Sequence, residues 1–220
     1  MYNMNPAKKI IRTWIAGVRF YIAISIALIT LEVLWLSETL YGGGSLATIR
    51  LEETYGWLSI GFLSVALLIG PTLTVFKRLP GRRQLLEARR LIGIGAAWFA
   101  LLHSLITYIA QFKSVNPLDL PLTYQRAFLV GLFALIILLA LAATSFNRAF
   151  RAMGIWWFRL HRLVYIAAVL VVVHVALIGV HAKTTPVLAA FGSVGFLVIG
   201  GHLYRNQSRK LTKSIQKEVL

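Results

Sequence analysis

The chain has 220 residues, of which 58% are hydrophobic and only 14% charged. Its mean hydropathy of +0.75 lies outside the range of water-soluble globular domains and excludes that class. It has no cysteine, so disulfides, thiolate metal sites and iron–sulfur clusters carried by the chain itself are excluded as well.

In chain order, the basic start "MYNMNPAKKIIRTW" leads into an apolar stretch too long for the core of a cleavable signal, so the first helix is expected to stay. Six stretches supply the roughly 20 mainly apolar residues needed to cross about 30 Å of hydrocarbon: 14–36, 57–76, 91–111, 127–145, 163–181 and 186–204. The predicted fold class is an all-α integral membrane protein, a six-transmembrane-helix bundle. A basic N-terminus (1–13) precedes the bundle (14–204), and a basic amphipathic tail (205–220) follows it.

The connections are short. "SETLYGGGSLATIRLEETYG" and "KSVNPLDLPLTYQR" fall on one side as loops, and "KRLPGRRQLLEARR" falls on the other. "NRAFRAMGIWWFRL" has Phe150, Met153 and Trp157 at helical spacing among arginines, the pattern of a helix lying in the headgroup layer. The glycines at 42–44 lack the strand–turn–helix context of a phosphate loop. No nicotinamide domain fits, so electrons, if this chain moves them, come from elsewhere.

The net charge of +16 belongs to topology. On alternating sides of six spans, the 23 lysines and arginines leave only Arg50, Lys113, Arg126 and Lys183 on one side, which puts both termini in the cytoplasm. The excess charge meets anionic membrane lipid, and no nucleic acid is expected as a partner.

Ionisable groups inside a bilayer are costly, and each suggests a function. Only Glu32 is acidic within these six spans, which disfavours a transporter with paired midplane acids. The others are mostly histidines. Neutral imidazole tolerates an apolar core and binds metal, and two axial imidazoles on haem iron make a centre for electron transfer. His103 stands about 18 Å along span three and His174 about 16 Å along span five, both counted from the inner side at about 1.5 Å per residue. At matched depth on two helices they form a clamp for one haem.

His161 is about 20 Å below His174 and about 140° around a straight helix from it, so it needs bending or a place in the entry turn to share a face. It is either the ligand of a second, inner haem with His202 or a hydrogen-bonding group for a cofactor. His181, about 10 Å beyond His174, reads as a helix end beside Lys183. Arg90 and Arg162, with Arg89 and Arg159, are placed to hold haem propionates or an FMN or quinone headgroup, or to anchor helix ends. Trp98, Tyr108, Trp157 and Tyr165 either line a cofactor or mark the interfaces.

Two segments resemble a known family. "RRLIGIGAAWFALLHSLITY" (89–108) and "LALAATSFNRAFRAMGIWWFRLHRLVYIAAVLVVVH" (139–174) are similar to the MsrQ/YedZ-type haem-binding membrane subunits of the ferric-reductase-like transmembrane domain superfamily. The resemblance covers about residues 57 to 205. It implies b-type haem, with His103, His161 and His174 as haem or haem-associated residues. It also implies a multi-pass protein of the bacterial inner membrane. Such a subunit takes electrons from a quinol or a cytoplasmic flavin reductase and delivers them to a periplasmic or membrane partner, in that family a methionine sulfoxide reductase catalytic subunit. Where the family often has a histidine before Thr-Gly, this chain reads "EETYGW", and His181 and His202 are not family features. The alternative is an auxiliary subunit of a larger complex that keeps the fold with the haem lost or repurposed.

Overall fold

The computed structural model describes residues 6–76, 78–112, 119–178, 192, 195 and 199–201. Every regular element among them is helical: α1 (Pro6–Tyr41), α2 (Gly44–Val75), α3 (Arg82–Thr107) continued by a π-helical turn (Tyr108–Phe112), α4 (Leu122–Ala143), α5 (Asn147–Met153), α6 (Ile155–His161) and α7 (Leu163–Ile178). Among the described residues, five segments are long and apolar enough to cross a membrane: Gly17–Tyr41, Gly44–Val75, Arg82–Ala110, Leu122–Ala143 and Ile155–Ile178. The protein is therefore an all-α membrane protein. The expected sixth span, 186–204, falls mostly outside the described residues, as do the tail 205–220, His181 and His202. Residues 192, 195 and 199–201 are helical. Gly201 sits against α2 so closely that a Cβ there would meet Pro71 at 2.5 Å.

The helices run further than the apolar stretches. The expected loop 37–56 is helical on both sides of a turn at Gly42–Gly43. Gly42, Gly43 and Gly44 all have positive φ (66°, 73° and 79°), which three residues bearing Cβ atoms would rarely adopt together. Arg50 reaches Glu53 one turn on at 2.9 Å, and this pairing lets charged residues continue the helix. Glu52 and Glu53 therefore stand on α2, and Glu52 is buried. With Glu38 in Gly17–Tyr41 and Glu87 in Arg82–Ala110, these residues correct the expectation that Glu32 is the only acid within a span, and Glu32 itself is exposed on α1. The expected headgroup-layer helix is likewise two pieces, α5 and α6, broken at Gly154 with φ +51°, and α6 leads into α7 as one span.

Packing divides the bundle into two close pairs, α2 against α3 and α4 against α7, with α1 lying across the first pair and α3 meeting α4 between them. In lipid, water does not drive helices together, so close approach and hydrogen bonds must do so. Ala66, Ala96, Ala97, Ala127, Ala134 and Ala167 are all buried. Phe99, fully buried, stacks on Tyr55 at 5.9 Å and meets the edge of Phe62 at 5.1 Å. Tyr55 Oη donates to Thr30 O at 2.8 Å and Trp98 Nε1 to Thr30 Oγ1 at 3.1 Å. Arg19 and Glu87 form an ion pair from α1 to α3.

Ser59 Oγ, buried in α2, donates to Ala96 O of α3 at 2.9 Å. Ser59→Ala is expected to cost about 0.6 kcal/mol, the usual size of an interhelical bond in a membrane. Reversible unfolding in mixed micelles measures this.

Candidate functional site

Among the described residues, the candidate site residues gather around a cavity toward each end of the bundle. The first, of about 240 Å³, is bounded by His103 and Ala100 of α3, Gly56 and Ser59 of α2, Gly131 of α4 and His174 of α7. The two imidazoles come from different helix pairs and meet there, with ring centres 6.3 Å apart and planes 83° from parallel. The equal depths counted along spans three and five thus become a facing pair.

Each ring is fixed by the partner helix of its own pair. His103 Nδ1 lies 2.8 Å from the carbonyl oxygen of Glu52 on α2, and His174 Nδ1 lies 2.8 Å from that of Ala127 on α4. A carbonyl only accepts, so Nδ1 carries the proton in both rings and Nε2 keeps its lone pair for a metal. A backbone carbonyl is a usual outer partner of a metal-binding histidine and raises its basicity.

The spacing fits one shared metal ion. Two metal–nitrogen bonds of about 2 Å, plus the distance from each nitrogen to its ring centre, place the centres about 6 Å apart. Among the described residues no group of three His, Cys, Asp or Glu side chains gathers to make a metal cage. A pair alone suits an iron whose equatorial nitrogens come from a macrocycle, which is the donor set of haem.

The second cavity, of about 1010 Å³, lies at the arginine-rich end. His161, Arg89, Arg90, Arg162, Trp157 and Tyr165 line it. His161 stacks on Trp157 with centres 3.8 Å apart, and its Nδ1 lies 3.0 Å from Trp157 O. Its Nε2 is buried and has no hydrogen-bond partner among the described residues. His161 sits in the entry segment, just before the turn at Arg162 that separates α6 from α7. Arg89 Nε donates to Ala66 O at 3.0 Å, and Arg90 donates to Asn147 Oδ1 at 2.8 Å and lies over the Phe150 and Trp157 rings. Leu138 lines both cavities.

Of the sequence-predicted residues, His103 and His174 come together in the first cavity, while His161, Arg90 and Arg162 come together in the second. Tyr108 borders the first, and Trp98 borders neither. The docking carbonyls were not anticipated, because backbone atoms of other helices leave no mark in the residue pattern. Gly56 and Gly131, also unanticipated, could have been noted as glycines inside apolar helices.

Residues 55–172 match the family model of the ferric reductase like transmembrane component. The chain is 35% identical over 127 residues to the protein-methionine-sulfoxide reductase heme-binding subunit MsrQ of Azospira oryzae, covering 56% of this chain and 52% of that one. It is 35% identical over 112 residues to MsrQ of Bordetella pertussis, covering 50% and 54%. To MsrQ of Yersinia pseudotuberculosis it is 32% identical over 149 residues, covering 66% and 71%. The chain thus spans about half the length of the first two relatives and more of the third. No solved structure matches. The family match runs from Tyr55 in α2 into α7 and includes His103 and His161, and on these matches the chain belongs to the ferric-reductase-like transmembrane family.

Proposed function

We propose that the chain is a haem-binding membrane subunit that carries electrons from a cytoplasmic-side donor to an acceptor on the outer side. The carrying observation is the His103–His174 pair at 6.3 Å, each ring docked through Nδ1 on a backbone carbonyl. The reading includes a sixth span at 186–204, both termini in the cytoplasm and the bacterial inner membrane as location, supported by the crowding of cations at the end that holds His161. The names of the relatives support haem, the ring spacing fits one metal ion shared by His103 and His174, and the family resemblance with the lack of cysteine for covalent attachment supports b type. The names also point to a methionine sulfoxide reductase catalytic subunit as the acceptor.

Haem iron supplies reversible one-electron chemistry. The residues do the rest. His103 and His174 present Nε2 from opposite helix pairs, and the Glu52 and Ala127 carbonyls fix both tautomers. Leu135, Leu138 and Val171 give the first cavity an apolar lining beside the two rings. In the second cavity, Arg89, Arg90 and Arg162 set a positive field that draws in an anionic or carbonyl-bearing donor such as a reduced flavin or a quinol. His161 Nε2 offers that donor a hydrogen-bond partner.

Pyridine haemochrome assay of the purified protein tests this reading. One b haem per chain is expected, and protein without reducible haem absorption would falsify it. Haem well below one per chain in a stable multi-subunit assembly would favour an auxiliary subunit. His161→Ala is expected to keep that haem and to slow its reduction by quinol or reduced flavin about 10- to 100-fold, the size of a typical acid–base or outer-shell contribution. Stopped-flow reduction measures the rate. Two haems per chain falling to one in this variant would instead make His161 a ligand.

A further inference from the structure

The two imidazoles, 71 positions apart in sequence, are seated in the same way on two helix segments 75 positions apart. His103 Nδ1 bonds to the carbonyl of Glu52, and the residue one helical turn later is Gly56. His174 Nδ1 bonds to the carbonyl of Ala127, and the residue one turn later is Gly131. In an α-helix the carbonyl of residue i points at the N–H of residue i+4. A ring that takes the second lone pair of that carbonyl can lie over residue i+4, and both imidazoles do so here. A Cβ at that position occupies the space the ring needs.

The distances bear this out at both places. A Cβ on Gly131 would stand 2.6 Å from His174 Nδ1 and 2.7 Å from Cε1, and a Cβ on Gly56 would stand 3.2 Å from His103 Nδ1 and 3.5 Å from Cε1. The first pair of distances is closer than non-bonded atoms approach, and the second is at the tight end of contact. Backbone flexibility is not the reason for either glycine, because both sit inside regular helix with ordinary negative φ.

We propose that Gly131 and Gly56 are positioning residues of the haem site. Each leaves bare a patch of helix backbone against which an imidazole packs with Nδ1 on the carbonyl one turn earlier, which would leave Nε2 to hold the haem iron. The inference rests on the haem reading above and adds its seats: a four-residue spacing from acceptor carbonyl to glycine, used for one imidazole in each helix pair and repeated on α2 for the Arg89 guanidinium, with Ala66 O and Gly70. The two seats differ in tolerance. At Gly131 an added methyl displaces the ring and breaks the Nδ1 hydrogen bond. At Gly56 the ring yields by a few tenths of an ångström and keeps a lengthened bond.

The test compares full-length wild type with Gly131→Ala, Gly56→Ala and Gly61→Ala, the last a glycine of α2 with nothing within 4 Å of an added Cβ. Haem per chain, haem affinity by titration and the low-spin electron paramagnetic resonance signal are read on each protein. Gly131→Ala is expected to bind haem about 10- to 100-fold more weakly, the usual cost of losing an outer partner of a metal-binding histidine. Gly56→Ala is expected to keep its haem with a shifted low-spin signal, and Gly61→Ala to match wild type. A purely structural role would lower the melting temperature without moving that signal in the haem retained. If Gly131→Ala does not fold, Gly56→Ala decides alone, and an unshifted signal there overturns the proposal. Wild-type affinity and signal in both site variants, or an equal loss in Gly61→Ala, also overturn it while leaving the haem reading standing. Wild type without haem ends both.

Discussion

His174→Ala and His103→Ala are each expected to yield purified protein without haem. The two rings stand 6.3 Å apart at the meeting of two helix pairs, and among the described residues no further imidazole lines that cavity. Removing one ring takes away half of the axial donor set. The loss should exceed the about 10- to 100-fold that outer partners are worth. The fold should survive, because the carbonyls of Glu52 and Ala127 keep their helical N–H donors when the imidazoles are gone. The measurement is Soret absorbance per chain beside a melting curve of the same sample. A low-spin spectrum retained in both variants would remove the pair from the proposed mechanism.

The largest effect on stability is expected at Phe99→Ala, at about 3 kcal/mol, the lower end of the range for truncating a buried aromatic. The lower end applies because the unfolded chain also rests among apolar tails. Transfer from water then contributes little, and the cavity and lost contacts remain. Phe99 is fully buried between Tyr55 and Phe62, and with Leu51 it joins α2 to α3 beside His103. Phe133, 59% exposed on α4, is the comparison, and Phe133→Ala should change stability by less than about 0.5 kcal/mol. Unfolding in mixed micelles separates the two, and equal effects would contradict this view of the core.

The facing of His103 and His174 was legible because a helix converts residue count into depth. Both spans enter from the same side, and 12 and 11 residues carry the two side chains to one level. The inner group was legible as chemistry, since Arg90, His161 and Arg162 stand in short polar runs, "RR" at 89–90 and "RLHR" at 159–162, where two apolar stretches begin. The stacking of His161 on Trp157 is an i to i+4 contact within α6 and was open to reading from the spacing, whereas the break at Gly154 that separates α6 from α5 was not. The segment 37–56 was read as a loop because Arg50, Glu52 and Glu53 depress its hydropathy. Neighbouring charges of opposite sign satisfy one another on a helix, and a hydropathy window averages that away. The carbonyl seats could not be read at all. Residues 52 and 127 act there through main-chain oxygens, which every residue has.

Leu138 stands between the two cavities, 4% exposed and packed in the cluster with Leu63, Leu67 and Ala167. A partition of apolar side chains is an insulator for some carriers and not for others. Protons and ions cross a protein along files of water or chains of polar groups, and this cluster of leucine and alanine offers neither. Electrons tunnel through packed side chains and need no opening. On the proposed reading, one cell face could feed the other while the wall keeps the proton gradient intact, so that the chain works as a wire without becoming a leak.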